Sequence, residues 1–242
     1  HIKGVRFQYG EPTSKYILKD MVVHLPLGKT TAIVGASGSG KTTLLKLLAR
    51  IYNPTAGSIF VGNNNLEEMN TISWRKMCGI VLQDGLLFND TIERNITESN
   101  SNSPTNISLL KKAVKIANLS EMIENLPLGY QTRIGEQGQL LSGGEKQRLL
   151  IARAIYKDPF YLFFDEATSS LDAHNEKVIT ENLTSSFKGR TVVVIAHRLS
   201  TVQGADQILV MNEGEIVEEG NHLELIALGG FYHNLIKNQL KV

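Results

Sequence analysis

Apolar positions recur along this chain in two rhythms, and the change from one to the other divides it. Up to about residue 34 they come in short β-like runs, from Val5 to Tyr9 and from Met21 to Leu25, separated by the polar Glu11-Pro12-Thr13-Ser14-Lys15. These runs predict an antiparallel lobe. Thr30-Thr31-Ala32-Ile33-Val34 then reads as a buried strand, and Leu44, Leu47, Leu48 and Ile51 follow at helical spacing. Asn53-Pro54-Thr55-Ala56-Gly57 breaks that helix. Ser58-Ile59-Phe60-Val61 predicts another strand, a helical segment passes through Trp74 and Arg75, and Gly79-Ile80-Val81-Leu82 predicts an apolar strand ending at Gln83.

From residue 84 to 158 strand signals give way to the polar patch Asn100-Ser101-Asn102-Ser103-Pro104 and then to a helical period. Leu109, Leu110, Ala113, Ile116 and Ala117 share one face, which Met122, Ile123 and Leu126 continue. Ser142, with Glu145 three residues on, forms a capping box that opens a helix burying Leu149, Ala152 and Tyr156. Beyond it, residues 161–164 and 191–195 predict strands, Ser169-Ser170-Leu171-Asp172 a tight polar turn, residues 207–211 and 215–218 a hairpin, and residues 223–240 mostly helix. The whole pattern predicts an α/β protein: a core with an N-terminal antiparallel β lobe over residues 1–83 and 159–242, and a helical lobe inserted at 84–158.

Composition narrows the function class. A formal charge of +1 over 242 residues gives no global charge excess of the kind that marks a nucleic-acid-binding protein. Cys78 is the single cysteine, so it forms no internal disulfide and no cysteine metal site, and it reads as a small packed residue in a reducing compartment. No run approaches the roughly 18 apolar residues that cross a bilayer, so the isolated domain is expected to be soluble. The start at His1, almost directly in a strand, reads as a domain cut from a longer polypeptide.

The chemistry gathers at Gly35-Ala36-Ser37-Gly38-Ser39-Gly40-Lys41-Thr42, which places three glycines, a lysine and a hydroxyl at phosphate-binding spacing between a strand and a helix. The glycines turn backbone N–H groups toward phosphate oxygens, the helix adds its positive end, Lys41 reaches the β- and γ-phosphates, and Thr42 offers its hydroxyl to Mg²⁺. Gly143 and Gly144 are poor helix formers in the first turn of a second helix, and they make sense there if a bulky anion approaches bare N–H groups. Asp165 and Glu166 end an apolar strand. Asp165 suits holding Mg²⁺ through water, and Glu166 suits polarising a water beside the γ-phosphate. His197 ends a parallel strand, where α/β folds gather their ligands. Gln83 either offers an amide oxygen to metal or water or is structural, and Tyr9 is either an ordinary strand aromatic or a platform for a flat base.

In this order the residues resemble the nucleotide-binding domain of an ATP-binding cassette (ABC) transporter. The family's parts appear in sequence: an aromatic A-loop at Tyr9, Walker A from Gly35 through Thr42 and Thr43, the Q-loop at Gln83, a signature at Leu141-Ser142-Gly143-Gly144-Glu145, Walker B ending at Asp165-Glu166, the D-loop ending at Asp172 and the H-loop at His197. The resemblance implies an ABC-type P-loop ATPase that uses ATP and Mg²⁺. It further implies a head-to-tail, homodimeric sandwich with a second such domain, in which each signature closes over the other's ATP. Glu145 stands where the family usually has glutamine, and Arg133 replaces the first acid in Thr132-Arg133-Ile134-Gly135-Glu136-Gln137-Gly138, a loop similar to one in exporters. That loop, Phe88-Asn89-Asp90-Thr91-Ile92 and His197-Arg198-Leu199-Ser200-Thr201-Val202 look like the exporter branch. In that branch a membrane-spanning domain precedes this one, which puts it at the cytoplasmic face of the cell membrane. Gly229-Gly230-Phe231-Tyr232-His233-Asn234-Leu235 is similar to bacterial peptide and bacteriocin exporters, so the expected cargo is a peptide, with drug and lipid exporters the alternative. A chromosome or DNA-repair ATPase would need sustained heptads between Lys41 and Ser142, which are absent. A non-catalytic binding module would have no need of both Glu166 and His197.

Overall fold

The computed structural model describes residues 1–11, 13–98, 104–167, 170–196 and 199–239. In chain order its elements are β1 (Ile2–Phe7), β2 (Leu18–Val23), β3 (Thr30–Gly35), α1 (Lys41–Leu48), β4 (Ala56–Val61), β5 (Asn64–Asn65), α2 (Thr71–Met77), β6 (Cys78–Val81), α3 (Ile92–Thr97), α4 (Ile107–Ile116), α5 (Ser120–Glu124), α6 (Gly143–Tyr156), β7 (Tyr161–Asp165), α7 (Ala173–Ser186), β8 (Thr191–Ile195), α8 (Leu199–Gln203), β9 (Gln207–Asn212), β10 (Glu215–Gly220), α9 (His222–Leu228) and α10 (Phe231–Gln239). The fold is α/β, with a P-loop core and an N-terminal antiparallel sheet. The chain forms two compact units, His1–Arg75 with Gly189–Val242, and Lys76–Lys188.

In the first unit β2, β1, β4 and β5 form an antiparallel sheet in that order, while β3 lies between β8 and β9, parallel to both, with β10 antiparallel on β9. A strand paired on both sides and covered on both faces is expected to be continuously apolar, and Ala32, Ile33 and Val34 are all buried. Ala32 and Val34 pack with Val202, Ile208, Leu225 and Tyr232. β1 and β2 both lie upstream of the expected runs, because their mutual pairing from Ile2↔Val23 to Phe7↔Leu18 sets their limits. Tyr9 therefore falls past the end of β1. α1 is also shorter than its apolar spacing implied. Arg50 turns left-handed (φ 52°), its amide bonds Leu47 O, and the Ile51 amide reaches back to Lys46 O, so the helix closes before Ile51.

In the second unit β6 and β7 pair in parallel, and α6 packs against β6, α3 and α4. The expected helical stretch of 84–158 lies inside this unit, which also takes in β6, β7 and α7. The single face read from residues 109 to 126 is two helices. Asn118 turns left-handed (φ 53°) and the Leu119 amide bonds Val114 O, which ends α4 before α5 begins. The expected helix over 223–240 is likewise two, because Gly229 (φ 69°) caps α9. Periodicity did not predict α7. Its sequence is mostly polar, and its buried positions include Glu176 as well as Ile179.

Candidate active site

The loop from Gly35 to Thr42 joins β3 to α1, and crowding explains where its glycines must stand. A Cβ on Gly35 would lie 2.1 Å from Met211 O of β9, and one on Gly40, at φ 99°, would lie 2.7 Å from Leu18 Cδ2. Gly40 is the N-cap of α1 and has no side chain to bond the first-turn amides, so the helix's positive end is left for a ligand. Ala36, Ser37 and Gly38 are exposed on the loop's outer side. Lys41 is buried, and its ammonium donates to Gly35 O at 2.8 Å and to Ala36 O at 2.9 Å, which folds it over the loop. Ser39 Oγ is buried without a hydrogen-bond partner, while its carbonyl accepts from the Gly214 amide at 3.1 Å. Thr42 is half-buried and Thr43 buried.

Tyr9 reaches this loop from β1's end. Its hydroxyl lies 3.2 Å from Thr43 Oγ1, and its ring, still 40% exposed, meets Phe7 and Tyr52 edge-on with centroids 4.8 and 5.3 Å away. Tyr16, in the loop before β2, is 37% exposed and has Arg6 as a charged neighbour.

The remaining site residues belong to the second unit. Asp165 closes β7 and is 1% exposed; Glu166 follows with a left-handed backbone (φ 51°), a strained conformation for a residue with a Cβ. Gln83 is exposed in the turn after β6. Ser142 caps α6: its hydroxyl accepts from the Glu145 amide at 3.3 Å and donates to Glu145 Oε2 at 2.7 Å, and the Ser142 amide donates to the same oxygen at 2.8 Å. Burial works to raise the Glu145 carboxyl pKa, but the bonds from Ser142 and the charge of Arg148 outweigh it and hold the group below its usual range. A Cβ on Gly143 would meet nothing closer than 3.9 Å, and one on Gly144 nothing closer than 3.4 Å. Among the described residues, neither glycine is therefore demanded by crowding. Asp172 caps α7 by accepting from the Asn175 amide at 2.9 Å and from Asn175 Nδ2 at 2.6 Å. His197 lies outside the described residues.

One polar residue of this unit was missed by sequence reading. Gln147 of α6 is buried, and its side chain donates to Glu166 O and accepts from the Ser170 amide, both at 3.0 Å. A glutamine within a helix carries no sequence signal, so only the fold reveals it.

The residues present fit a nucleoside triphosphate and Mg²⁺. The orphaned Ser39 hydroxyl, the uncapped start of α1 and the folded-over Lys41 make an anion cradle. Among the described residues no cluster of three or more His, Cys, Asp or Glu side chains forms a metal cage.

Comparison with known proteins agrees. The family model described as "ABC transporter" matches residues 18–169. "Multidrug resistance protein 1" of Entamoeba histolytica is 44% identical over 98% of this chain and 18% of its own length. "Iron-sulfur clusters transporter ATM1, mitochondrial" of Chaetomium globosum is 45% identical over 94% of this chain and 38% of its own. An "ATP-dependent lipid A-core flippase" of Ralstonia nicotianae is 43% identical over 97% and 40% respectively. The chain thus spans less than half the length of each of these relatives. A solved bacterial Atm1-family ABC exporter with ATP bound superposes with a TM-score of 0.93 at 39% identity, covering 98% of this chain and 41% of the other.

Proposed function

This chain belongs to the ABC transporter family, as an exporter-branch domain that hydrolyses ATP with Mg²⁺, and from that premise we propose that it is the motor of a larger membrane exporter. Two copies close head to tail around two ATP molecules, and hydrolysis reopens them while the membrane domain of the same polypeptide moves cargo outward. The observation that carries this reading is the pair of helix starts. α1 opens on Gly40 with no side-chain cap, and α6 opens on two glycines, each costing about 1 kcal/mol of helix propensity, that no contact among the described residues requires. One chain thus offers two anion-binding ends, one for its own ATP and one for a partner's.

In this reading Lys41 and the amides of residues 35–42 hold the phosphates, and Tyr9 stacks on the base. Thr42, Gln83 and Asp165 are the residues that would hold Mg²⁺, and a bound ion there would supply charge stabilisation to the transferred phosphoryl group. Glu166 takes the proton of the attacking water, with His197 as the γ-phosphate contact. Ser142, Gly143 and Gly144 present N–H groups to the partner's γ-phosphate, and Asp172 fixes the segment beside them. The relatives' names favour a drug, lipid or iron–sulfur cargo, and the peptide reading rests on residues 229–235 alone.

The test is Glu166→Gln, which keeps the side chain's shape and removes its basic carboxylate. Phosphate release should fall by about 10²–10⁴-fold, as general acid–base groups are worth, while ATP affinity by titration calorimetry survives. The variant should also elute as an ATP-dependent dimer where the wild type is transient. Turnover at the wild-type rate would reject Glu166 as the base.

A further inference from the structure

We propose that Gln147 is a positioning residue for hydrolysis: its amide braces the backbone of Glu166 and thereby ties the signature helix to the catalytic carboxylate. The inference rests on the reading of Glu166 as the base.

The Gln147 amide is buried in α6, five residues beyond the Ser142 cap. Its orientation is fixed by its partners, since the Glu166 carbonyl only accepts and the Ser170 amide only donates, each at 3.0 Å. One side chain thereby clamps both sides of the turn between β7 and α7. That turn opens on a strained residue: Glu166, with its Cβ, sits at φ 51°, a conformation that persists only where the surroundings enforce it. The peptide group of Glu166 sets where its carboxylate points. A brace on that carbonyl therefore governs the aim of the base without touching substrate. Because the brace stands on the helix whose first turn is Gly143 and Gly144, a ligand that shifts α6 would shift Glu166 with it.

The proposal is tested in this chain by Gln147→Leu and Gln147→Glu, with Glu166→Gln as control, measuring kcat, KM for ATP and thermal melting. Misaiming by a fraction of an ångström lowers rate rather than binding, so Gln147→Leu should lose about 10- to 100-fold in kcat with KM changed less than about threefold. Gln147→Glu keeps the acceptor for Ser170 but turns a carboxylate oxygen toward the Glu166 carbonyl. That contact favours the protonated acid, which donates as the amide did, so the ratio of variant to wild-type kcat should rise as pH falls from about 9 to about 6. A purely structural role would leave that ratio flat. Wild-type kcat in a folded Gln147→Leu protein overturns the proposal; if that variant does not fold, a flat ratio for Gln147→Glu overturns it. Should Glu166→Gln itself keep full turnover, the base reading falls and the brace with it. If Glu166→Gln is inactive and the Gln147 variants are not, only the brace falls.

Discussion

At the scale of single residues, local chemistry decides which side chains are predictable. Lys41 is called for by the proposed anion site and Gly40 by its φ of 99°, so both can be recognised from neighbours in sequence. Asp172 shows how a residue picked for one role takes a second. It caps α7, and bonds from the Asn175 side-chain amide and then the Asn175 backbone amide pull its carboxyl down from 3.8 to about 2. Because the folded value is depressed, the stability this contributes is complete above the unfolded value of 3.8. It is lost as pH falls through about 2. A carboxyl NMR titration should give a midpoint near 2, moving toward 3.8 in Asn175→Ala. A midpoint near 3.8 in the intact protein would contradict the cap.

At the scale of elements, the β9–β10 hairpin supports the P-loop in a way its own sequence does not announce. Gly214 at its corner donates to Ser39 O and accepts from the Lys19 amide, at 3.1 and 3.0 Å. A Cβ there would lie 2.2 Å from Ile17 O, and φ is 86°. Gly189 has a similar φ of 82°, and a Cβ there would meet no described atom within 4 Å. Gly189→Ala should therefore cost only backbone strain, about 1–3 kcal/mol, whereas Gly214→Ala adds a clash with main chain that cannot move aside. Paired thermal unfolding checks the order, and Gly214→Ala should also weaken ATP binding by displacing Ser39. Equal losses would mean that the hairpin corner yields freely.

At the scale of the whole molecule, the proposed sandwich separates binding from assembly. Ser142→Arg puts a bulky cation at the start of α6, so ATP should still bind at the P-loop while the ATP-dependent dimer fails to form. Sedimentation with ATP reads both states, and a normal dimer in the variant would mean that the signature faces no partner. The sequence alone determined the order of motifs, the buried strand before the P-loop and the capped start of α6. Each of these depends on residues within a few positions of one another. Tertiary structure decided what depends on residues far apart: that Tyr9 touches Thr43, that Gly214 holds Ser39, and that Gln147 spans Glu166 and Ser170. It also decided where helices stop, since Arg50 and Asn118 turn left-handed at positions where apolar spacing continues. Periodicity records which face is buried, and it carries no record of which distant backbone group a polar side chain will meet.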